Sequence, residues 1–142
     1  MFSKEEAQKL RKEFWTAFGK SFPRKWILYR TKIKDFSFKF HADTSKARVS
    51  IDLEMKDLEL QESYYNKLWS LEDQLKEVWG SLEKRAEFEI ESGKIISSFW
   101  VQIEGVSIYN KATWPSIFEF FYDKMEKAEI FFYEYEDFIR DV

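Results

Sequence analysis

The chain has 142 residues, 44% hydrophobic and 35% charged, which fits one globular domain and excludes a disordered tract. It has no cysteine, so disulfides, thiolate zinc sites and thiol nucleophiles are excluded. The net charge of −3 hides an asymmetry: residues 1–34 hold ten Lys/Arg and three Asp/Glu (+7), and the remainder carries −10.

No stretch approaches the ~20 apolar residues of a membrane span, and MFSKEEAQKLRKEF lacks the apolar centre of a signal peptide. A cytoplasmic protein without membrane association is therefore expected. Aromatics reach 20% of the chain, with 15 Phe, 7 Tyr and 6 Trp. Rings that bury ~150–250 Å² each give a short chain a large apolar payload. They either fill the core or spill onto an interface.

Ser3 and Glu6 form a capping box before a periodic run through Leu10, Phe14, Ala17 and Phe18, which predicts a first helix. Gly19 and Pro23 mark its end. Lys25–Arg30 is short, aromatic and β-branched, and predicts a strand. Phe36, Phe38 and Phe40 alternate with polar residues, as do Val49, Ile51 and Leu53 after a polar break at 43–46. Strict period-2 alternation marks two strands with one buried face each, joined as a hairpin. Pairing residues whose numbers sum to 89 puts all six apolar side chains on one face; a slip of one would split them. The same register sets Asp35 across from Glu54.

A second helix is predicted after Asp57, with Tyr64, Leu68, Leu71, Leu75 and Val78 as its stripe and Gly80 as its stop. Residues 85–91 and 94–104 predict a second hairpin turning at Ser92-Gly93. Pro115 suits the first turn of a long last helix. Its stripe is Trp114, Phe118, Phe121, Met125, Ala128, Phe132, Tyr135 and Ile139, about 39 Å of helix at ~1.5 Å per residue. Phe120, Phe131, Tyr133 and Phe138 fall off that stripe. The order α-β-β-β-α-β-β-α predicts a single α+β domain with a mostly antiparallel sheet of about five strands packed against helices.

Phe14-Trp15 in the first helix, Trp26-Ile27 before Phe36-Ser-Phe-Lys-Phe, Val49-Ser-Ile-Asp-Leu-Glu, and Trp114 ahead of Phe118, Phe121 and Tyr122 resemble the bacterial domain of unknown function 4268 family. The resemblance runs from about Ser3 to about Ile139. It implies the same fold and a loose nucleic-acid or defence setting, since family members also occur fused to restriction-endonuclease-like domains. It implies no catalytic residues.

Two constellations remain. Asp35, Glu54 and Lys56 match the spacing of restriction-type nucleases, in which two adjacent carboxylates hold Mg²⁺ and a lysine helps activate water. The same residues on an amphipathic hairpin also read as an ordinary solvated sheet face, with no cofactor. Lys20, Arg24, Lys25, Arg30, Lys32 and Lys34 interleave with Phe22, Trp26 and Tyr29, which suits phosphate contacts with base stacking. The competing reading turns the rings into the core and leaves the cations as a soluble rim. His41 reads as a surface hairpin residue, and the four glycines are isolated, so no phosphate-binding loop is present. The expected function is a non-enzymatic accessory or interaction domain. The alternatives are a metal-dependent nuclease, or an inactive relative of one, and a dimerisation module using the extra rings of the last helix.

Overall fold

A computed structural model describes residues 2–142. Helix α1 spans Lys4–Ser21, strands β1 Phe36–Ala42 and β2 Lys46–Leu53, helices α2 Leu58–Ser70 and α3 Glu72–Trp79, strands β3 Glu83–Glu89 and β4 Ile95–Glu104, and helix α4 Trp114–Arg140 after one 3-10 turn at Lys111–Thr113. Among the described residues the four strands form one antiparallel sheet in the order β1-β2-β4-β3.

Several helix boundaries follow from local chemistry. Ser3 and Glu6 close a reciprocal capping box on α1, and Asp57 caps α2 by accepting from the N–H groups of Glu59 and Leu60. Gly80 stops α3 in the left-handed region at φ 83°, where a glycine has no Cβ penalty. Pro115 lies in the first turn of α4.

The β1–β2 register is the expected one: Phe36 faces Leu53, Phe38 faces Ile51 and Phe40 faces Val49. These side chains point toward the helices. Phe36 and Phe38 meet Phe132 of α4 at ring-centroid distances of 5.6 Å each, and Phe36 also meets Tyr64 of α2 at 5.9 Å. Tyr65 lies 4.9 Å from Phe99 of β4. Helix α1 joins from the other end, with Phe14 against Trp114, Phe118 and Phe121 and Phe18 against Phe40. Aromatic pairs at these separations add about 0.5–1.5 kcal/mol each beyond area burial, and 14 Phe, Trp and Tyr residues are buried in this core.

Three expectations need correction. The sheet has four strands, because residues 25–30 form no strand. Leu28 adopts φ 38°, and Lys32 and Asp35 adopt φ 63°, so the chain turns repeatedly. Only one ladder-type bond, from Phe38 N–H to Leu28 O at 3.0 Å, joins the segment to the edge of β1. Trp26 and Ile27 are both buried, which alternation forbids. Second, the helix expected over 57–80 is two helices that meet at Leu71, and this turn lets Leu75 and Trp79 pack toward α4. Third, the strand expected over 85–91 runs as β3 with a bulge between Arg85 and Phe88, which breaks its alternation and leaves Ala86 exposed.

Helix α3 covers part of the ring surplus. Phe120 and Phe131 are 7% and 1% exposed within the chain, while Tyr133 and Phe138 remain 61% and 44% exposed. No helix among the described residues is long and apolar enough to cross a membrane.

Candidate functional site

The sheet face opposite the helices carries Ser37, Lys39 and His41 of β1, Arg48, Ser50 and Asp52 of β2, and Ser98, Trp100 and Gln102 of β4. Its charged side chains form two hydrogen-bonded groups, one around Lys39 and one around Arg48. Lys39 Nζ sits 2.7 Å from Glu54 and 3.5 Å from Asp52, and Asp52 accepts a 2.7 Å hydrogen bond from Ser98 Oγ. Arg48 donates to Gln102 Oε1 at 2.8 and 3.1 Å and stacks 4.4 Å over the Trp100 ring. Partial burial disfavours the Lys39 ammonium, but its bond to Glu54 and the charge of Asp52 outweigh that and hold its pKa above the ordinary lysine value.

Asp35 and Glu54 are neighbours as the register requires: Glu54 N–H donates to Asp35 O at 2.8 Å. Asp35 lies in a left-handed turn before β1, a conformation Asp tolerates better than most residues. Lys56 does not complete the group. The chain leaves the ladder at Leu53, Met55 turns into the core, and Lys56 is exposed. The lysines at Glu54 are Lys39 and, at 3.8 Å, Lys94. Sequence spacing along β2 concealed them because both come from other strands or their ends. The register sets Lys39 opposite Ser50 and so diagonal to Asp52, and its long side chain reaches past Asp52 to Glu54. Among the described residues, no group of three or more His, Cys, Asp or Glu is placed to hold a metal ion.

The basic segment divides in two. Arg24 is structural. Its guanidinium pairs with Glu129 of α4, approaches Glu126 at 3.9 Å and lies 3.9 Å over Trp26. Glu129 is only 7% exposed and also accepts the Ile27 N–H at 2.8 Å. A buried carboxylate needs such partners, and this one fixes the path of residues 24–27. Nothing in the α4 stripe marks Glu129 beyond a lone carboxylate amid apolar neighbours. Phe22 is half-buried and Trp26 buried, so those rings belong to the core. Arg30 donates to Trp26 O at 2.8 Å. Among the described residues, Lys20, Lys25, Arg30, Lys32 and Lys34 make no ion pair, and Tyr29, within the same segment, is 72% exposed. The Arg140 guanidinium of α4 holds this ledge from behind by donating to Thr31 O and Lys32 O at 2.5 and 3.3 Å.

No curated protein and no solved structure shows a significant match to the chain. The family model described as "Domain of unknown function (DUF4268)" matches residues 10–136. That match runs from α1 through most of α4 and so takes in both the sheet network and the basic ledge, and the chain belongs to this family.

Proposed function

We propose that this domain is a non-enzymatic interaction module that docks on nucleic acid through the basic ledge of residues 20–34. The observation that carries the reading is that one 15-residue segment holds five cations, Lys20, Lys25, Arg30, Lys32 and Lys34, without ion pairs among the described residues, together with the exposed ring of Tyr29. Unpaired cations are free to displace counterions from phosphates, and one open ring offers a stacking surface. The acidic remainder of the chain confines the attraction to this ledge. The defence setting implied by the family resemblance is part of the same proposal.

The nuclease alternative has the Asp35–Glu54 adjacency in its favour. Against it stands the direct ion pair of Glu54 with Lys39, which gives that carboxylate a structural task. The dimer alternative rests on Ile130 and Tyr133, which are 57% and 61% exposed on α4.

Fluorescence anisotropy with single- and double-stranded oligonucleotides over a salt series tests the proposal. Affinity is expected to fall linearly in log–log form, with a slope of roughly 0.7–0.9 per phosphate neutralised. Lys20→Glu, Lys25→Glu and Lys32→Glu together should abolish binding without unfolding the protein, since all three side chains are exposed. An absence of salt-sensitive binding to either probe by the wild-type protein overturns the proposal.

A further inference from the structure

A second surface lies on the far side of the molecule, between α2 and the bulged edge strand β3. It is a groove of about 240 Å³ lined by Leu58, Gln61, Glu62, Tyr65, Trp69 and Glu87, among others. Gln61 is 2% exposed, and its amide is oriented by its neighbours. Nε2 donates to Ile95 O at 3.3 Å and to Ser97 Oγ at 3.0 Å. Ile95 O can only accept, and Ser97 Oγ spends its own hydrogen on Ala86 O, so the reverse amide orientation would set oxygen against oxygen. Gln61 Oε1 is consequently left without a donor, the one buried side-chain atom among the described residues in that condition. A buried acceptor with no partner is costly and calls for an explanation.

The rest of the groove indicates what the missing donor is. Trp69 is 51% exposed and Leu58 47%, an open indole beside an aliphatic wall. Glu62 and Glu87 are exposed carboxylates in the same lining. Among the described residues, the cation found over the Trp69 ring is Lys84, at 5.7 Å from its centroid and held at 2.5 Å by Glu72. An acceptor in the wall, a flat ring and flanking carboxylates together select a planar cation with several N–H donors. Guanidinium stacks on indole and can donate to an amide oxygen and a carboxylate at once. An ammonium is a compact point charge that fits such a slot less well.

We propose that this groove receives an arginine side chain of a partner protein, with the guanidinium stacked on Trp69, donating to Gln61 Oε1 and paired with Glu62 and Glu87. The bulge at Ala86–Glu87 is what opens the slot, because two residues of β3 there face the single Ser97 of β4 and the edge bends outward. The site is independent of the basic ledge: its charge is opposite and it shares no residue with it.

The test is an NMR titration of ¹⁵N-labelled protein with three capped tripeptides, acetyl-Gly-Arg-Gly-amide, the lysine analogue and the citrulline analogue. The Gln61 side-chain amide and Trp69 indole N–H resonances are the readouts. The arginine peptide should shift both saturably, with a millimolar Kd appropriate to one side chain. The lysine peptide should bind more weakly, and citrulline, which keeps the shape without the charge, should give no saturable shift. Glu62→Lys and Glu87→Lys, both at exposed positions, should each weaken the arginine peptide about tenfold, the loss of one well-formed charge pair. No saturable shift with the arginine peptide overturns the proposal. So does equal binding of the citrulline peptide, or binding indifferent to both charge reversals. Loss of oligonucleotide binding at the basic ledge would leave these outcomes unaffected.

Discussion

Trp79 and Lys124 bind each other's backbone. The Trp79 indole N–H donates to Lys124 O at 3.0 Å, and the Lys124 ammonium donates to Trp79 O at 2.8 Å. The pair ties the last residue of α3 to the middle of α4, and it explains how a short helix turned away at Leu71 can cap the core. Trp79 is 1% exposed, so Trp79→Ala removes both a large buried ring and a buried donor. Urea unfolding should show a loss of about 3–5 kcal/mol. Lys124→Met, which keeps most of the aliphatic stem, should cost only about 1–2 kcal/mol. Equal costs for the two variants would show that the clasp, rather than the ring, is the stabilising element.

Phe38 is fully buried and packs on Phe36 and Phe132. Phe38→Ala should lower stability by ~3–5 kcal/mol, and Phe38→Leu by distinctly less. Lys39→Ala is expected to cost far less than Phe38→Ala. A small effect of Phe38→Ala would contradict the alternation that sets the sheet's inner face.

The hairpin was legible because its physics is local: period-2 alternation in both strands admits only the register that joins Phe38 to Ile51. The same reasoning failed at residues 25–30. Composition there suits a strand, but the conformation is set by tertiary partners, the Glu129 carboxylate on Ile27 N–H and Arg24 and the Arg140 bonds to residues 31 and 32. Those partners are over 100 positions away in the chain, and no local pattern announces them. The break at Leu71 was hidden for a similar reason. Leu68, Leu71 and Leu75 keep helical spacing through it, and all three are buried. At the candidate site, Asp35 and Glu54 come together as register requires, whereas the lysine beside them is Lys39 because spacing along one strand says nothing about its neighbours.

Asp43 at the β1–β2 turn makes the hairpin pH-sensitive. Partial burial pushes its carboxyl up. The Ser45 N–H, the Lys46 ammonium, the His41 ring and the Lys46 N–H outweigh that and hold its pKa well below the usual carboxylate range. The contacts are 2.9 Å to Ser45 N, 2.9 Å to Lys46 Nζ, 3.2 Å to His41 Nε2 and 3.0 Å to Lys46 N. A pKa depressed on folding contributes stability above the unfolded value, about 4 for Asp, and this contribution is lost as pH falls from there toward the folded value. Asp43→Asn should therefore be less stable than wild type at pH 7, with the gap narrowing below about pH 4. A gap that stays constant from pH 7 to pH 3 would mean that geometry, and not charge, does the work at this turn.

Glu54 separates the nuclease reading from the interaction reading. If its carboxylate serves the sheet network, Glu54→Ala should lower stability by roughly 1 kcal/mol, because it leaves the half-buried Lys39 with Asp52 alone. Asp35→Ala and Glu54→Ala should then leave oligonucleotides as intact as wild type does in the presence of Mg²⁺ or Mn²⁺. Divalent-metal-dependent cleavage by the wild-type protein, abolished by both substitutions, would instead establish the nuclease.

Self-association now depends on fewer rings than the sequence offered. Phe120 and Phe131 are covered within the chain, and the Phe138 ring carries the Lys67 ammonium 4.0 Å from its centroid, which occupies part of its surface. Ile130 and Tyr133, one helical turn apart on α4, remain as the apolar contact a second copy would use. A two-fold arrangement lets one such stripe cover its equivalent. The dimer proposal thus predicts a scattering mass that rises above the 17.3 kDa of one chain as concentration increases. It also predicts that Ile130→Glu returns the mass to that of the monomer without loss of stability, since Ile130 is 57% exposed. A mass of 17.3 kDa at every concentration would leave Ile130 and Tyr133 as isolated surface residues of the kind any soluble domain carries.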